Sequence, residues 1–262
     1  MGSEERFRLD GRNAIVTGSG SGIGQAIAIR LAGAGANVTC ADINEERANE
    51  TKGIIDAEGG SASIAVVDVT KKDDVTKLVN GVRDLAIMCN NAGIMTDSSI
   101  VDLDEADLDR IFAVNFKGVF YGAQAAARVM VARGSGVIIN TSSGAVAVPA
   151  PNIGAYAMAK AAVSQMTKTL AIEIAPSGVR VNAIAPGFVD TRITARHYTE
   201  ADGSINDEKR NAIRSHMSTM APLRIMGEAD DMAYAVLYLA SDAAKFVTGQ
   251  TIHPNGGVAM NW

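Results

Sequence analysis

The chain has 262 residues, 47% hydrophobic and 20% charged, with a formal charge of −5 at pH 7 and two cysteines. That composition belongs to a globular protein with a sizeable core and excludes a disordered chain. The acidic balance, with no Lys/Arg cluster, excludes a nucleic-acid partner. No apolar run approaches the roughly 18 to 20 residues of a membrane span, and the charged N-terminus lacks the apolar segment of a secretory signal, so a cytoplasmic protein with no membrane partner is expected.

Residues 13–17 form a short apolar run that breaks into Gly18-Ser-Gly-Ser-Gly22-Ile23-Gly24 and resumes with helical spacing at Ile23, Ile27 and Leu31. This reads as strand, glycine turn, helix. A second strand, 37–41, ends at Asp42, and residues 44–58 predict a surface helix. A third strand, 62–67, ends at Asp68; a helix over 71–83 leads to a fourth strand, 85–89, closed by Asn90-Asn91-Ala92-Gly93. Residues 104–132 predict one long helix, apolar over too much of its circumference to be covered on one side alone. A strand over 136–140 runs into Thr141-Ser142-Ser143, a second long helix covers 153–175, and a strand over 179–184 reaches Pro186-Gly187. Residues 191–227 break the rhythm with polar, Met-rich sequence and read as a lid. A helix over 229–240 and a last strand near 250–253 complete the chain.

Strands alternating with helices imply an α/β protein: a single doubly wound domain over residues 1–262, with a mostly parallel sheet of seven strands and helices on both faces. In the strand order 3-2-1-4-5-6 the second and fourth strands lie roughly 10 Å apart, too far for Cys40 and Cys89 to bridge. His197, His216 and His253 are scattered without ligand spacing, so no metal is expected.

The glycines at 18, 22 and 24 let backbone N–H groups approach a pyrophosphate at a helix N-terminus. A tight turn without a ligand has the same signature. Asp42, about twenty residues beyond the turn, can accept hydrogen bonds from an adenosine ribose, or cap the helix that follows. A carboxylate there repels a 2′-phosphate, and neither Ser21 nor Ile43 offers a base to hold one, which favours NAD over NADP. Tyr156 and Lys160 stand four apart on one helix face, with Ser143 thirteen residues before the tyrosine. A solvated helix produces that spacing as readily as an acid/base pair does.

Together these features resemble the classical short-chain dehydrogenase/reductase family. The residues that carry the resemblance are Thr17-Gly-Ser-Gly-Ser-Gly-Ile-Gly24, Asp68-Val69, Asn90-Asn-Ala-Gly93, Asn115, Ser143, Tyr156-x-x-x-Lys160, and Pro186-Gly187 followed by Thr191; they span residues 12–257. The resemblance implies hydride transfer between NAD(H) and a secondary alcohol or ketone. It gives Gly18, Ser21, Gly22, Ile23 and Gly24 to the cofactor's pyrophosphate turn, Asp42 to the ribose, and Asp68 and Val69 to the adenine. Asn91, Ala92 and Gly93 line the cofactor, and Pro186, Gly187, Val189 and Thr191 hold its nicotinamide end. Tyr156 becomes the catalytic acid/base, with Lys160 bonding the nicotinamide ribose and lowering the tyrosine pKa. Ser143 orients the substrate oxygen, and Asn115 holds a water in a relay to Lys160. The family's assembly through its two long helices implies a homotetramer, or a dimer, and Met260-Asn-Trp262 is expected to pack on a neighbouring subunit.

The chemistry agrees with that division. A free tyrosine near pKa 10 is about one part in a thousand ionised at pH 7, and opposite charge nearby favours the phenolate. Ser142 reads as a structural hydroxyl. Two departures from the family stand out: a shortened stretch between Asp68 and Asn91, and Asn255 where an Asp often stands, which concerns packing. Met95, Met158, Met217, Met220 and Met226 can form a pliable apolar pocket or ordinary core. Arg192, Arg196 and His197 can meet a polar or anionic substrate or be solvated. The competing readings are a 3-oxoacyl-carrier-protein reductase and a catalytically idle Rossmann-type binding protein. Against the former stand Asp42 and Ser177, which leaves Arg133 without a second basic residue; against the latter stands the intact Asn115, Ser143, Tyr156, Lys160 set.

Overall fold

In the computed structural model, which describes residue 2 and residues 4–200 and 202–260, seven strands form one parallel sheet in the order β3-β2-β1-β4-β5-β6-β7. They are β1 (Asn13–Thr17), β2 (Asn37–Asp42), β3 (Ser61–Val66), β4 (Leu85–Asn90), β5 (Gly136–Thr141), β6 (Val179–Ile184) and β7 (Thr251–Ile252). The chain winds outward from β1 to β3, then crosses back to place β4 on the other side of β1. The crevice at that reversal, outside the carboxyl ends of β1 and β4, is where such sheets hold ligands.

Central strands buried on both faces read as continuous apolar runs. Val16 of β1, Val38 of β2 and Ile139 of β5 pack with Ile27 and Leu31 of α1 (Gly22–Gly33) and with Met232 and Val236 of α9 (Ala229–Ala240). Ile15, Met88, Ile138 and Val181 face the other way, against Val75 and Val79 of α3 (Lys72–Gly81) and Ala123, Ala126 and Met130 of α5 (Val119–Arg133). The period-two alternation along β1, Ile15 to one layer and Val16 to the other, makes the two cores. α2 (Glu45–Ala57) closes the β2–β3 edge and is capped by Asn44, whose side chain accepts from Arg47 N at 2.9 Å.

The stretch expected as one helix over 104–132 is broken. α4 (Glu105–Phe112) passes into a π-helical turn, Ala113–Gly118, before α5 begins. The apolar pattern cannot separate a single π turn from continuous α-helix, because the two differ only in which carbonyl each N–H reaches. Gly118 lets this turn approach the loop that follows β3: a Cβ there would lie 2.9 Å from Val69 Cγ2. α6 (Gly154–Ile174) is the second long helix.

Residues 191–227 contain two helices that the sequence pattern did not indicate, α7 (Arg192–Ala195) and α8 (Asp207–Met220). No residue of α8 is buried. α3 ends at Gly81 and only three residues lead into β4, with Asp84 at φ +48°. The hollow beside it, about 550 Å³ and lined in part by Thr39, Ser63, Lys77 and Arg83, lies among the starts of the strands, away from the crevice. Cys40 and Cys89 are free and buried, and burial pushes their thiols up to about 11 and about 12. Among the described residues no helix is long and apolar enough to cross a membrane. Asn261 and Trp262, expected at a subunit contact, lie outside the described residues.

Candidate active site

The sequence-selected residues gather beyond the carboxyl ends of β1 to β6, with Asn115 joining them from the π turn and Tyr156 and Lys160 from α6. Beyond β1, Gly18 has φ +66° and Gly22 φ +55°, left-handed conformations that suit glycine. A Cβ on Gly18 would lie 2.8 Å from Ala92 Cα, and one on Gly24 would lie 2.1 Å from Gly18 O. Turn, helix start and the Asn91–Gly93 segment therefore close on one another only because these positions carry no side chain. Gly22 looks across at Thr191, 3.4 Å from where its Cβ would be. Ser21 occupies the N-cap of α1 without a side-chain capping bond, and the first turn of α1 has no acidic residue. Ile23 packs against the first core.

The turn is stitched to its neighbours. Thr17 Oγ1 accepts from Asn91 N at 3.0 Å and Ala92 N at 3.2 Å, while Asn91 Nδ2 donates to Thr17 O at 3.3 Å and Asn91 Oδ1 accepts from Thr141 Oγ1 at 3.3 Å. Asp42 accepts from Gly20 N and Asn44 N, each at 2.9 Å. Asn44, not Asp42, caps α2, so the plain capping role does not explain Asp42. Sequence reasoning missed Arg47: its Cβ lies 2.7 Å from where a Cβ of Gly20 would be, and among the described residues its side chain has no polar partner. Asp68 accepts from Thr70 N and Oγ1 at 3.0 and 2.7 Å, and the Thr70 hydroxyl holds its carboxyl below the usual range.

Ser143 and Tyr156 come from different elements, the end of β5 and the first turn of α6. Ser143 is buried and its Oγ accepts from Ala145 N at 3.1 Å. Burial raises the Tyr156 phenol above its ordinary pKa, and the Ser143 hydroxyl and then the Arg196 charge oppose the rise. Lys160 Nζ lies over the Tyr156 ring, 5.7 Å from its centroid, and donates to Thr141 O at 2.7 Å. Lys160 is 2% exposed, and burial brings its pKa down to about 8.

Asn115 sits in the π turn, fully buried, with both ends of its amide on one residue: Oδ1 accepts from Ile94 N at 2.9 Å and Nδ2 donates to Ile94 O at 2.8 Å. This pins Gly93, whose Cβ would lie 2.9 Å from Asn115 Oδ1 and 3.6 Å from Lys160 Nζ. Ser142 is spent on α6, against Ser164 Oγ at 2.6 Å and Lys160 O at 3.2 Å. A buried chain also not anticipated, Asn90 Nδ2 to Asn140 Oδ1 and Asn140 Nδ2 to Thr167 Oγ1, each 2.9 Å, fastens α6 to β4 and β5. Its sequence signal was an Asn at the end of each apolar run. Beyond β6, Pro186 and Val189 are buried. A Cβ on Gly187 would lie 2.7 Å from Asn255 Cα, and Asn255 is occupied with Gly257 N and Ala259 O at 2.9 and 2.8 Å.

These residues suit a dinucleotide. The glycine cradle admits a pyrophosphate to an uncapped helix N-terminus, and buried Lys160 has three N–H donors with one acceptor used.

The fold and this arrangement define a family. The model of the family described as enoyl-(acyl carrier protein) reductase matches residues 18–259, and the chain belongs to the classical short-chain dehydrogenase/reductase family of oxidoreductases. A 3-oxoacyl-[acyl-carrier-protein] reductase of Staphylococcus aureus is 37% identical, over 95% of this chain and 98% of that protein. The crystal structure of a gluconate 5-dehydrogenase from Burkholderia cenocepacia, in complex with NADP and tartrate, has TM-score 0.89 at 36% identity, covering 98% of both chains. A 7α-hydroxysteroid dehydrogenase complexed with NADH and 7-oxo glycochenodeoxycholic acid has TM-score 0.87 at 33% identity, covering 100% of this chain and 99% of that one.

Proposed function

We propose that the chain interconverts a secondary alcohol and a ketone with NAD(H), through Ser143, Tyr156, Lys160 and Asn115. The observation that carries this reading is the buried Lys160 ammonium over the Tyr156 ring, 5.7 Å from its centroid, beside Gly93 and next to the strand end that carries Ser143, in the crevice that the glycine turn opens. When bound, the nicotinamide supplies the hydride acceptor or donor. Tyr156 takes the proton from the substrate oxygen in oxidation and returns it in reduction. Ser143 donates to the same oxygen and stabilises the charge that develops there. Lys160 offers its remaining donors to ribose hydroxyls, and its charge supports the phenolate against the burial that raises it. Asn115, whose amide is engaged with Ile94, is assigned the relay water that leads to Lys160.

In this reading Gly18, Ser21, Gly22, Ile23 and Gly24 hold the pyrophosphate. Asp68 and Val69 hold the adenine, and Asn91, Ala92, Gly93, Pro186, Gly187, Val189 and Thr191 hold the nicotinamide half. Residues 1–262 are one Rossmann-type domain with 191–227 as its lid. Asp42 supports NAD(H), as does the bound NADH of the hydroxysteroid dehydrogenase. NADP(H) is the second reading, favoured by Arg47 beside Gly20 and by the bound NADP of the gluconate dehydrogenase. The Staphylococcus relative supports a 3-oxoacyl-carrier-protein substrate; against it stands Arg133, whose guanidinium is engaged with Asp84 O and Ser135 Oγ.

We also read the protein as a cytoplasmic homotetramer. Phe120 on α5 and Ile172 on α6 remain 38% and 79% exposed, which supports an interface through the two long helices. Light scattering giving a monomer contradicts that assembly. The function is tested by offering a panel of secondary alcohols and ketones with each cofactor and following nicotinamide absorbance. Turnover favouring NAD(H) is expected; silence across the panel contradicts the reading.

A further inference from the structure

The lid's first turn carries charge that the proposed proton and hydride transfers do not use. α7 places Arg192 and Arg196 four residues apart on one helix face, where like charges repel. Arg196 is paired: its Nε and Nη2 donate to the two carboxylate oxygens of Asp97 at 2.7 and 3.1 Å. Arg192 has no polar partner among the described residues.

Asp97 lies in the segment that follows Gly93, on the opposite wall of the crevice from the lid. The next residue, Ser98, donates its N–H to Asn152 O at 2.9 Å and pairs with Ile153, the N-cap of the helix that carries Tyr156. The Arg196–Asp97 pair therefore runs from the lid to the wall that leads into the tyrosine, and the Arg196 charge reaches the phenol. The guanidinium is held independently of Asp97, with Nη2 donating to Met95 Sδ at 2.9 Å and Nη1 to Ile193 O. A planar carboxylate thus meets a fork that is already oriented. The side chains of the pair are 27% and 41% exposed, so their attachment contributes little, and exchanging one carboxylate for another costs little. The unpaired Arg192 adds a positive field that draws an anion toward the same place.

We infer that Arg196 recognises the substrate by binding a carboxylate carried on it, and that Asp97 occupies the guanidinium fork until the substrate displaces it. The inference rests on the proposed alcohol–ketone chemistry at Tyr156 and narrows its substrates to hydroxy and oxo acids.

The test uses the full chain with NADH bound, titrated by nicotinamide fluorescence with hexanoate and with its neutral counterpart hexanamide. Hexanoate is expected to bind about tenfold more tightly or better. Arg196→Met removes that preference, Arg196→Lys weakens it because a point charge lacks the fork, and Asp97→Asn strengthens it by removing the internal competitor. Equal binding of the two probes, or a preference that survives Arg196→Met, overturns the inference. In turnover, 4-oxopentanoate is expected to exceed its methyl ester in kcat/KM, with Arg196→Met erasing the difference through KM. A protein that prefers hexanoate yet turns over no alcohol, ketone or oxo acid upholds the carboxylate site and overturns the hydride-transfer reading. A protein that binds neither NADH nor NADPH overturns the hydride-transfer reading and, with it, the inference that rests on it.

Discussion

Lys160→Met is expected to stabilise the protein at pH 7 while abolishing turnover. Lys160 is 2% exposed and burial lowers its pKa from 10.5 to about 8, a displacement worth about 3 kcal/mol against the charged form. Methionine fills a similar volume without charge. Losing the bond to Thr141 O leaves a buried carbonyl unpaired, at about 1–2 kcal/mol. The net gain is about 1–2 kcal/mol, a rise in Tm of roughly 4 °C for a chain of this size. Because the folded pKa lies below the unfolded one, the unfolded chain binds more protons between pH 8 and 10.5, and wild-type stability climbs across that window. The penalty is in full force below the folded pKa. In urea unfolding the advantage of Lys160→Met should therefore shrink as pH rises from 7 toward 10, and end as a small deficit when only the lost Thr141 bond remains. A variant less stable than wild type at pH 7, or an advantage that does not change with pH, refutes the account of a strained buried ammonium.

The glycine cradle and the cofactor choice give two further expectations. Gly24→Ala drives a methyl to within 2.1 Å of Gly18 O, so it should cost about 1–3 kcal/mol of stability and weaken NADH binding by about tenfold or more, read by fluorescence titration; unchanged affinity contradicts the cradle. Asp42→Ala should raise the ratio of kcat/KM with NADPH to that with NADH by about tenfold or more, since it removes a full charge beside the 2′ position. Arg47→Met in the Asp42→Ala background should reverse that gain. A ratio indifferent to Asp42→Ala ends the cofactor assignment.

What the sequence displayed and what it hid follow from the range of the interactions involved. β1, the glycine turn and α1 were legible because an apolar run, left-handed glycines and helical spacing are all local signals. The acid/base helix was legible for the same reason, as Tyr156 and Lys160 report their shared face by spacing alone. The π turn at Asn115 was not, because its apolar pattern matches that of an α-helix. α8 was hidden because none of its residues is fully buried and its sequence is mostly polar; only Asn206, whose side chain accepts from Lys209 N, with Asp207 and Glu208 after it, marks its start. Arg47 against Gly20, Arg196 against Asp97 and the Asn90–Asn140–Thr167 chain each join residues far apart in sequence, which only the folded chain brings together.

The most direct test of the proposed chemistry is Tyr156→Phe, which deletes one hydroxyl and leaves the ring beneath Lys160 in place. NADH affinity is expected to stay within about twofold of wild type, while turnover of the best alcohol or ketone falls by about 10²–10⁴-fold, the contribution of a positioned proton donor. A Tyr156→Phe enzyme that binds NADH and turns over at the wild-type rate contradicts the assignment of Tyr156 as the acid/base, and with it the proposed function of the site.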